Sequence, residues 1–93
     1  DANGDAVYQT FEDVEGYLNT LVERVKKQGL EDVTAHARFG SPRAVIAREF
    51  PDDHENDLII MGPTGLNPVE RLLVGAVTDY VTRAAKCDVI IAR

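Results

Sequence analysis

The stretch with the clearest chemical potential runs from Gly62 to Thr78, between an apolar segment and an amphipathic one. Gly62, Gly65 and Gly75 let the backbone turn sharply and approach a ligand closely. The first N–H groups of a helix have no partner within it, so they can hold a phosphate without any side-chain charge. Strand, glycine loop and helix start together predict an anion-binding site, although a bare Gly-x-x-Gly is also typical of an ordinary turn.

Composition narrows the class of protein. The 93 residues, 44% of them hydrophobic, suffice for one small domain with one modest core. A net charge of −6 disfavours nucleic acid and anionic membrane as partners. The apolar runs are only strand-length and no signal peptide is visible, so no membrane span is expected. The single cysteine, Cys87, cannot form an internal disulfide and fits a small core residue, which favours the cytoplasm.

The first element along the chain is predicted to be a long helix. Apolar residues recur at helical spacing over residues 7–25, and Gly29 follows as a stop signal. Asp5 can cap the start of this helix. Val33–Phe39 then alternates apolar and polar residues, which predicts a strand that has one wetter face or lies at a sheet edge, with His36 exposed.

A second helix is predicted to start at Ser41 and Pro42, with serine as the cap and proline at the first helical position. Pro51 is expected to end it, because proline cannot continue a helix. Residues 52–57 follow as a charged run that includes His54. Carboxylates and imidazole are metal-ligand types, but consecutive residues do not converge on one ion, so a solvated connector is the favoured interpretation.

Two apolar runs predict strands. Leu58–Met61 contains no polar residue, which is typical of a strand buried on both faces of a parallel sheet. Val89–Ala92 predicts a terminal buried strand of the same kind. The first of these strands would need neighbours on both edges and cover on both faces.

The segment between these two strands predicts helix from Asn67-Pro68 onward, a cap followed by a proline in the first position. Gly75 lies inside the apolar stripe that follows, and a glycine in a helix interior costs about 1 kcal/mol relative to alanine. We therefore expect a short helical turn at 68–73 and a main helix from Ala76 to Lys86.

The order helix, strand, helix, strand, helix, strand predicts an α/β domain with a parallel sheet, helices on both faces and right-handed crossovers. Such folds bind ligands at the carboxyl ends of their strands, where the glycine loop lies. The sequence contains neither a P-loop nor a Gly-x-Gly-x-x-Gly fingerprint. No nucleophile–base pair or paired carboxylate accompanies the loop, so we expect a binding protein and not an enzyme.

The pattern of these residues resembles the C-terminal half of a universal stress protein. The likeness extends over residues 33–93, and the helix of residues 7–29 fits the one that precedes. The resemblance implies an adenine nucleotide alpha hydrolase-like fold with a five-stranded parallel sheet, and a homodimer formed through Val89, Ile90 and Ile91. The segments that carry the likeness are Asp57–Gly62, Gly65, Gly75, Val77-Thr78 and Cys87–Ile91.

The resemblance also implies a ligand, because one subgroup of the family binds ATP through Gly-x-x-Gly-x9-Gly-Ser/Thr. The sequence itself contains no metal motif and offers no catalytic residue near the loop. Carried over position by position, the implied nucleotide-binding residues are Met61, Gly62, Thr64, Gly65, Gly75, Ala76, Val77 and Thr78.

Two departures from the family pattern bear on that ligand. Ala76 stands where the ATP-binding subgroup has a hydroxyl residue, and Pro63 removes a backbone donor. We therefore expect weak nucleotide binding, and a family interaction module that binds no nucleotide is the alternative. The family also begins with strand, helix and strand, whereas this chain opens with a helix, so residues 1–93 are expected to form a single, N-terminally truncated domain.

Overall fold

The computed structural model describes the backbone of residues 2–62 and 68–92, and the side chains of residues 9–62 and 76–92. The chain forms two compact units, Asp1–Phe39 (unit 1) and Gly40–Arg93 (unit 2). The described helices and strands are α1 (Ala2–Lys27), α2 (Pro42–Ala44), a π-helical turn (Val45–Glu49), α3 (Phe50–His54), β1 (Leu58–Met61), α4 (Pro68–Ala84) and β2 (Asp88–Ile91).

The long helix predicted from the sequence is confirmed as α1. It ends where expected, because Gly29 has a φ of 109°, a left-handed value that favours glycine. The N–H of Gly29 donates to the Lys26 carbonyl at 3.0 Å. The predicted cap at Asp5 is wrong, because α1 already begins at Ala2 and residue 5 lies inside the helix.

Val33–Phe39 is not a strand in the structure, so that prediction is wrong. A strand needs a neighbour to complete its ladder of hydrogen bonds, and among the described residues only β1 and β2 pair. The segment lies against α1 instead, with the Phe39 and Phe11 rings stacked at a centroid distance of 5.7 Å. His36 is exposed, as predicted, and its Nε2 lies 3.2 Å from the Thr34 hydroxyl.

Helical structure in unit 2 begins at Pro42, as predicted, with Ser41 extended ahead of it. The prediction that Pro51 ends the helix is wrong, because helical backbone continues to His54. The reason lies in the π-helical turn, where the N–H of Phe50 donates to the carbonyl five residues back. This wider turn places Pro51 at the start of α3, where its missing N–H costs no intrahelical hydrogen bond.

Glu55 ends this helical segment in a left-handed conformation. Its φ and ψ are 53° and 42°, and the N–H groups of Glu55 and Asn56 both donate to the Pro51 carbonyl. A residue with a Cβ is destabilised in this region by roughly 1–2 kcal/mol. Glycine is therefore the residue that the backbone favours at this position.

We predict that Glu55→Gly raises the free energy of unfolding by about 0.5–1 kcal/mol, since relief of strain exceeds the added flexibility of the unfolded chain. Urea denaturation followed by circular dichroism measures the change. Glu49→Gly is the control, because Glu49 has a helical φ of −62° and its replacement should cost about 1 kcal/mol. Equal destabilisation by both replacements would contradict the prediction.

β1 and β2 form a parallel pair, in which Leu58 lies opposite Asp88 and Met61 opposite Ile91. The predicted parallel arrangement of strands is therefore confirmed for these two strands. The described residues hold these two strands and not the five that the resemblance implies. The predicted burial of both strands is wrong, because Ile60 is 64% exposed and Ile90 is 49% exposed. Side chains alternate between the two faces of a strand, and here only one face is covered.

α4 is a single helix from Pro68 to Ala84, so the expected division into a short turn and a main helix from Ala76 to Lys86 is wrong. Pro68 occupies the first position, as predicted. The backbone stays helical through Gly75, because one unfavourable residue is outweighed by cooperative hydrogen bonding along 17 residues.

The core of unit 2 lies between α4 and the helical segment that precedes β1. Val81 on α4 is fully buried, and Ala47 in the π-helical turn is 2% exposed. The guanidinium carbon of Arg43 lies 5.7 Å from the ring centroid of Tyr80, which links α2 to α4. α4 also contacts β2, so the helix connects the core to the sheet.

Candidate functional site

The candidate site begins where β1 ends. Met61, the last residue of β1, is half-buried, and its carbonyl accepts a hydrogen bond from the N–H of Ala92 at 2.8 Å. Gly62 therefore leaves the sheet from an anchored position, at the carboxyl edge of a parallel pair. This edge is where open α/β sheets bind their ligands.

Gly62 has an accessible backbone. A Cβ built at this position would meet no atom of the described residues within 4 Å. Its φ lies outside the left-handed region, which Gly29 and Gly40 adopt among the described residues. The turn expected after Gly62 involves residues outside the described ranges, so it stays a prediction. The space around Gly62 is compatible with close approach of a ligand.

Two of the predicted site residues, Thr64 and Gly65, lie outside the described residues. The same is true of Pro63 and of the predicted cap at Asn67.

The remaining predicted site residues, Gly75, Ala76, Val77 and Thr78, lie consecutively within α4. The expected helix start at Ala76 is wrong, because this residue lies about two turns inside the helix. N–H groups in a helix interior already donate to carbonyls four residues back. The Ala76 side chain is exposed, while those of Val77 and Thr78 are half-buried.

Thr78 carries the most informative polar atom of the candidate site. Its Oγ1 is buried and has no hydrogen-bond partner among the described residues, although the Thr82 hydroxyl donates to the Thr78 carbonyl at 2.8 Å. An unsatisfied buried hydroxyl costs roughly 1–3 kcal/mol. It is therefore a group that a ligand atom could satisfy. The sequence predicts Thr78 as a site residue, but only the packing of α4 shows that its hydroxyl is buried.

The charged run after Pro51 is partly helical, because residues 52–54 belong to α3. Its interpretation as a solvated connector is therefore wrong for these three residues. Asp52 Oδ2 lies 3.9 Å from Lys86 Nζ, and the His54 ring stacks on Phe50 at 4.1 Å. Within the described ranges, no group of three or more His, Cys, Asp or Glu residues could hold a metal ion. In the same ranges, no helix combines the length and the apolar character needed to cross a bilayer.

Unit 1 contains a separate polar cleft that the sequence does not predict. The cleft has a volume of about 250 Å³ and lies between α1 and residues 35–38. Glu15, His36 and Arg38 are its charged or titratable lining residues. These residues come from two separate segments without a shared motif, so no sequence signal identifies the cleft.

The chain is similar to a known protein family and to curated proteins of that family. The model of the Universal stress protein family matches residues 2–93. Two proteins of Staphylococcus aureus, from strains USA300 and N315, are each named "Putative universal stress protein" and are 39% identical to the chain over 79 residues. The match covers 85% of this chain and 48% of each relative, so the chain spans about half the length of the curated relatives it matches. No solved structure matches the chain significantly.

Proposed function

Because the chain belongs to the universal stress protein family, we propose that it acts in a stress response by binding ATP or a related adenine nucleotide through the segment from Gly62 to Thr78. The observation that carries this proposal is the open backbone of Gly62 at the carboxyl end of β1. A phosphate oxygen can approach the backbone there without meeting any of the described side chains. We propose no metal site beside it.

The proposed contacts differ in their chemistry. At the glycine positions the phosphates can come close to the backbone, and the threonine hydroxyl groups can form hydrogen bonds with the nucleotide. The buried Thr78 hydroxyl supports the proposal, because a ligand atom would supply the hydrogen-bond partner that it lacks. The residues proposed to contact the nucleotide are Met61, Gly62, Thr64, Gly65, Gly75, Ala76, Val77 and Thr78.

We propose that the affinity for the nucleotide is low. Ala76 has a methyl group where the ATP-binding pattern has a hydroxyl, and Pro63 has no N–H to donate. Each lost hydrogen bond to a charged group weakens binding by about 1.5–3 kcal/mol. Two such losses together lower the affinity by about a hundredfold or more.

Titration of the chain with ATP, measured by calorimetry, tests the proposal. We predict that Ala76→Ser tightens ATP binding about tenfold, because a restored hydroxyl can donate to a phosphate oxygen. Ala35→Ser adds the same hydroxyl at an exposed alanine in unit 1 and should leave the binding unchanged. Low-micromolar affinity in the unmodified chain would contradict the argument from missing donors.

A second replacement tests the location of the site. We predict that Gly75→Val abolishes ATP binding, because its side chain blocks the backbone, while the helix content of α4 is retained. Gly16→Val is the matched control, since Gly16 also lies inside a helix and a Cβ there meets no atom within 4 Å. If both variants bind ATP alike, the phosphates do not approach Gly75.

The alternative function is a family interaction module that binds no nucleotide. It is favoured by the position of residues 75–78 inside α4, where the N–H groups already donate intrahelical hydrogen bonds. Under this alternative the chain forms a homodimer through Val89, Ile90 and Ile91 but gives no heat of binding with ATP. Calorimetry and sedimentation on one sample therefore separate the two functions.

We propose binding without catalysis for either function. In the part of the chain that the structure describes, the Thr78 hydroxyl has no hydrogen-bond partner and therefore no base that would activate it as a nucleophile. The other described side chains proposed to contact the nucleotide, from Met61, Ala76 and Val77, carry no acid or base. Prolonged incubation with ATP should therefore release no ADP above the rate in buffer, as chromatography of the nucleotides can establish.

A further inference from the structure

Pro51 lies inside one continuous helical segment, which α2, the π-helical turn and α3 form together from Pro42 to His54. In a regular α-helix the proline ring would collide with the carbonyl of Ala47, four residues back. The π-helical turn removes this conflict, because its hydrogen bonds reach carbonyls five residues back and leave more room inside the turn. The N–H of Phe50 accordingly donates to the carbonyl of Val45. Pro51 and the π-helical turn therefore depend on each other.

The π-helical turn also fixes the rotation of the residues that follow it in the segment. Ala47 holds the turn in the core of unit 2, where this residue is 2% exposed and the turn contacts α4. The additional residue of a π-helical turn changes the rotation of the following helix by about 100°, the angle of one α-helical residue. At a helix radius of about 2.3 Å, this rotation moves a Cα atom by about 3.5 Å. A regular helix would therefore lead the chain into β1 from a different place.

The connection from this helical segment to the proposed phosphate site is short. Glu55 ends the segment, and only residues 55–57 separate α3 from β1. A shift of about 3.5 Å corresponds to one residue of a strand, which rises by about 3.3 Å. Moving a strand by one residue against its neighbour exchanges its two faces. The pairing of Leu58 with Asp88, and with it the position of Gly62, is therefore sensitive to the rotation of the helical segment.

We propose that Pro51 is a positioning residue for the phosphate site. It maintains the π-helical turn, and the turn sets the point from which β1 brings Gly62 to the carboxyl edge of the sheet. Pro51 acts through the backbone between it and Gly62, and not by contact with the nucleotide. The inference rests on the proposed function, because it assigns Pro51 a role in the same site.

The first test is Pro51→Ala, which removes the ring and supplies the N–H that a regular α-helix needs. Nuclear magnetic resonance couplings across hydrogen bonds identify the acceptor of the Phe50 N–H, which should change from Val45 to Ile46. The affinity for ATP, measured by calorimetry, should fall at least about tenfold. Pro42→Ala is the matched control, because Pro42 begins the helical segment and its replacement should change neither the acceptor nor the affinity.

A deletion separates positioning from a general loss of stability. Arg48 is an exposed residue of the π-helical turn, and its deletion from the Pro51→Ala chain removes the additional residue. A regular α-helix then reaches α3 with the native rotation, so the affinity for ATP should return to that of the unmodified chain. Deletion of Arg48 from a chain that keeps Pro51 should instead lower the midpoint of thermal unfolding by about 10 °C or more, because the ring then meets a carbonyl.

Each part of the proposal can fail separately. If the Phe50 N–H still donates to Val45 in Pro51→Ala, the proline does not maintain the turn. If the acceptor changes but the affinity does not, or if the deletion forms a regular helix without restoring the affinity, Pro51 does not position the site. Absence of ATP binding in the unmodified chain would contradict the proposed function instead. The couplings between β1 and β2 would then decide the inference, because Leu58 still opposite Asp88 after the conversion would overturn it.

Discussion

Val81→Asp is expected to abolish cooperative unfolding of unit 2. Val81 is fully buried in the core that α4 forms with the helical segment before β1. A carboxylate at this position would lose its hydration without gaining a partner, which costs about 3 kcal/mol or more. That loss is a large share of the stability of a small domain. Thermal denaturation followed by circular dichroism, together with hydrogen exchange of β1 and β2, measures the effect.

Two further variants establish that burial causes this loss. Val81→Ala removes two methyl groups and should lower the free energy of unfolding by roughly 1–3 kcal/mol. Thr82→Asp introduces the same carboxylate at the next residue of α4, which is exposed, and should cost less than about 1 kcal/mol. Similar losses for Val81→Asp and Thr82→Asp would show that the core does not depend on Val81.

Ile90→Lys is expected to raise the dissociation constant of the proposed homodimer by at least about tenfold. β2 pairs with β1 along one edge, and its other edge has no paired strand among the described residues. An apolar strand with a free edge is a template for pairing with another chain. Ile90 is 49% exposed, so a lysine there is tolerated in the monomer but places a charge at the interface. Sedimentation velocity over a range of concentrations measures the constant.

Leu30→Lys is the control for this experiment. Leu30 is 55% exposed and follows α1 in unit 1, far along the chain from β2. Its replacement adds the same charge at a similar exposed residue and should leave the dissociation constant unchanged. An Ile90→Lys variant with the same oligomeric state as the unmodified chain would mean that self-association uses another surface.

Features that depend on neighbouring residues in the chain could be predicted from the sequence. α1 and its end at Gly29, the helix starts at Pro42 and Pro68, and the two apolar strands follow from periodicity and from the backbone restrictions of glycine and proline. These signals act over a few residues, so they do not require knowledge of the fold. The family resemblance is of the same kind, because it depends on glycine spacing and on two strand segments.

Predictions failed where a distant segment decides the outcome. Val33–Phe39 has the alternation of a strand but pairs with no other strand among the described residues, and strand formation requires that pairing. Pro51 continues a helix because the preceding π-helical turn has already shifted the hydrogen bonding. Propensity describes each residue separately, whereas these two outcomes depend on bonds made by other residues.

For the candidate site, the sequence by itself determined the residue types, the glycine spacing and the apolar strand ahead of it, since these are properties of the chain. Only the tertiary structure decided that Gly62 has open space beside it and that Thr78 Oγ1 is buried without a partner, both among the described residues, and that Ile60 is exposed. The physical reason is that access, hydrogen-bond satisfaction and burial are relations between a residue and the elements packed around it. The periodicity of α4 and β1 indicates which residues share a face, but it does not indicate which of the faces is covered by another helix or strand.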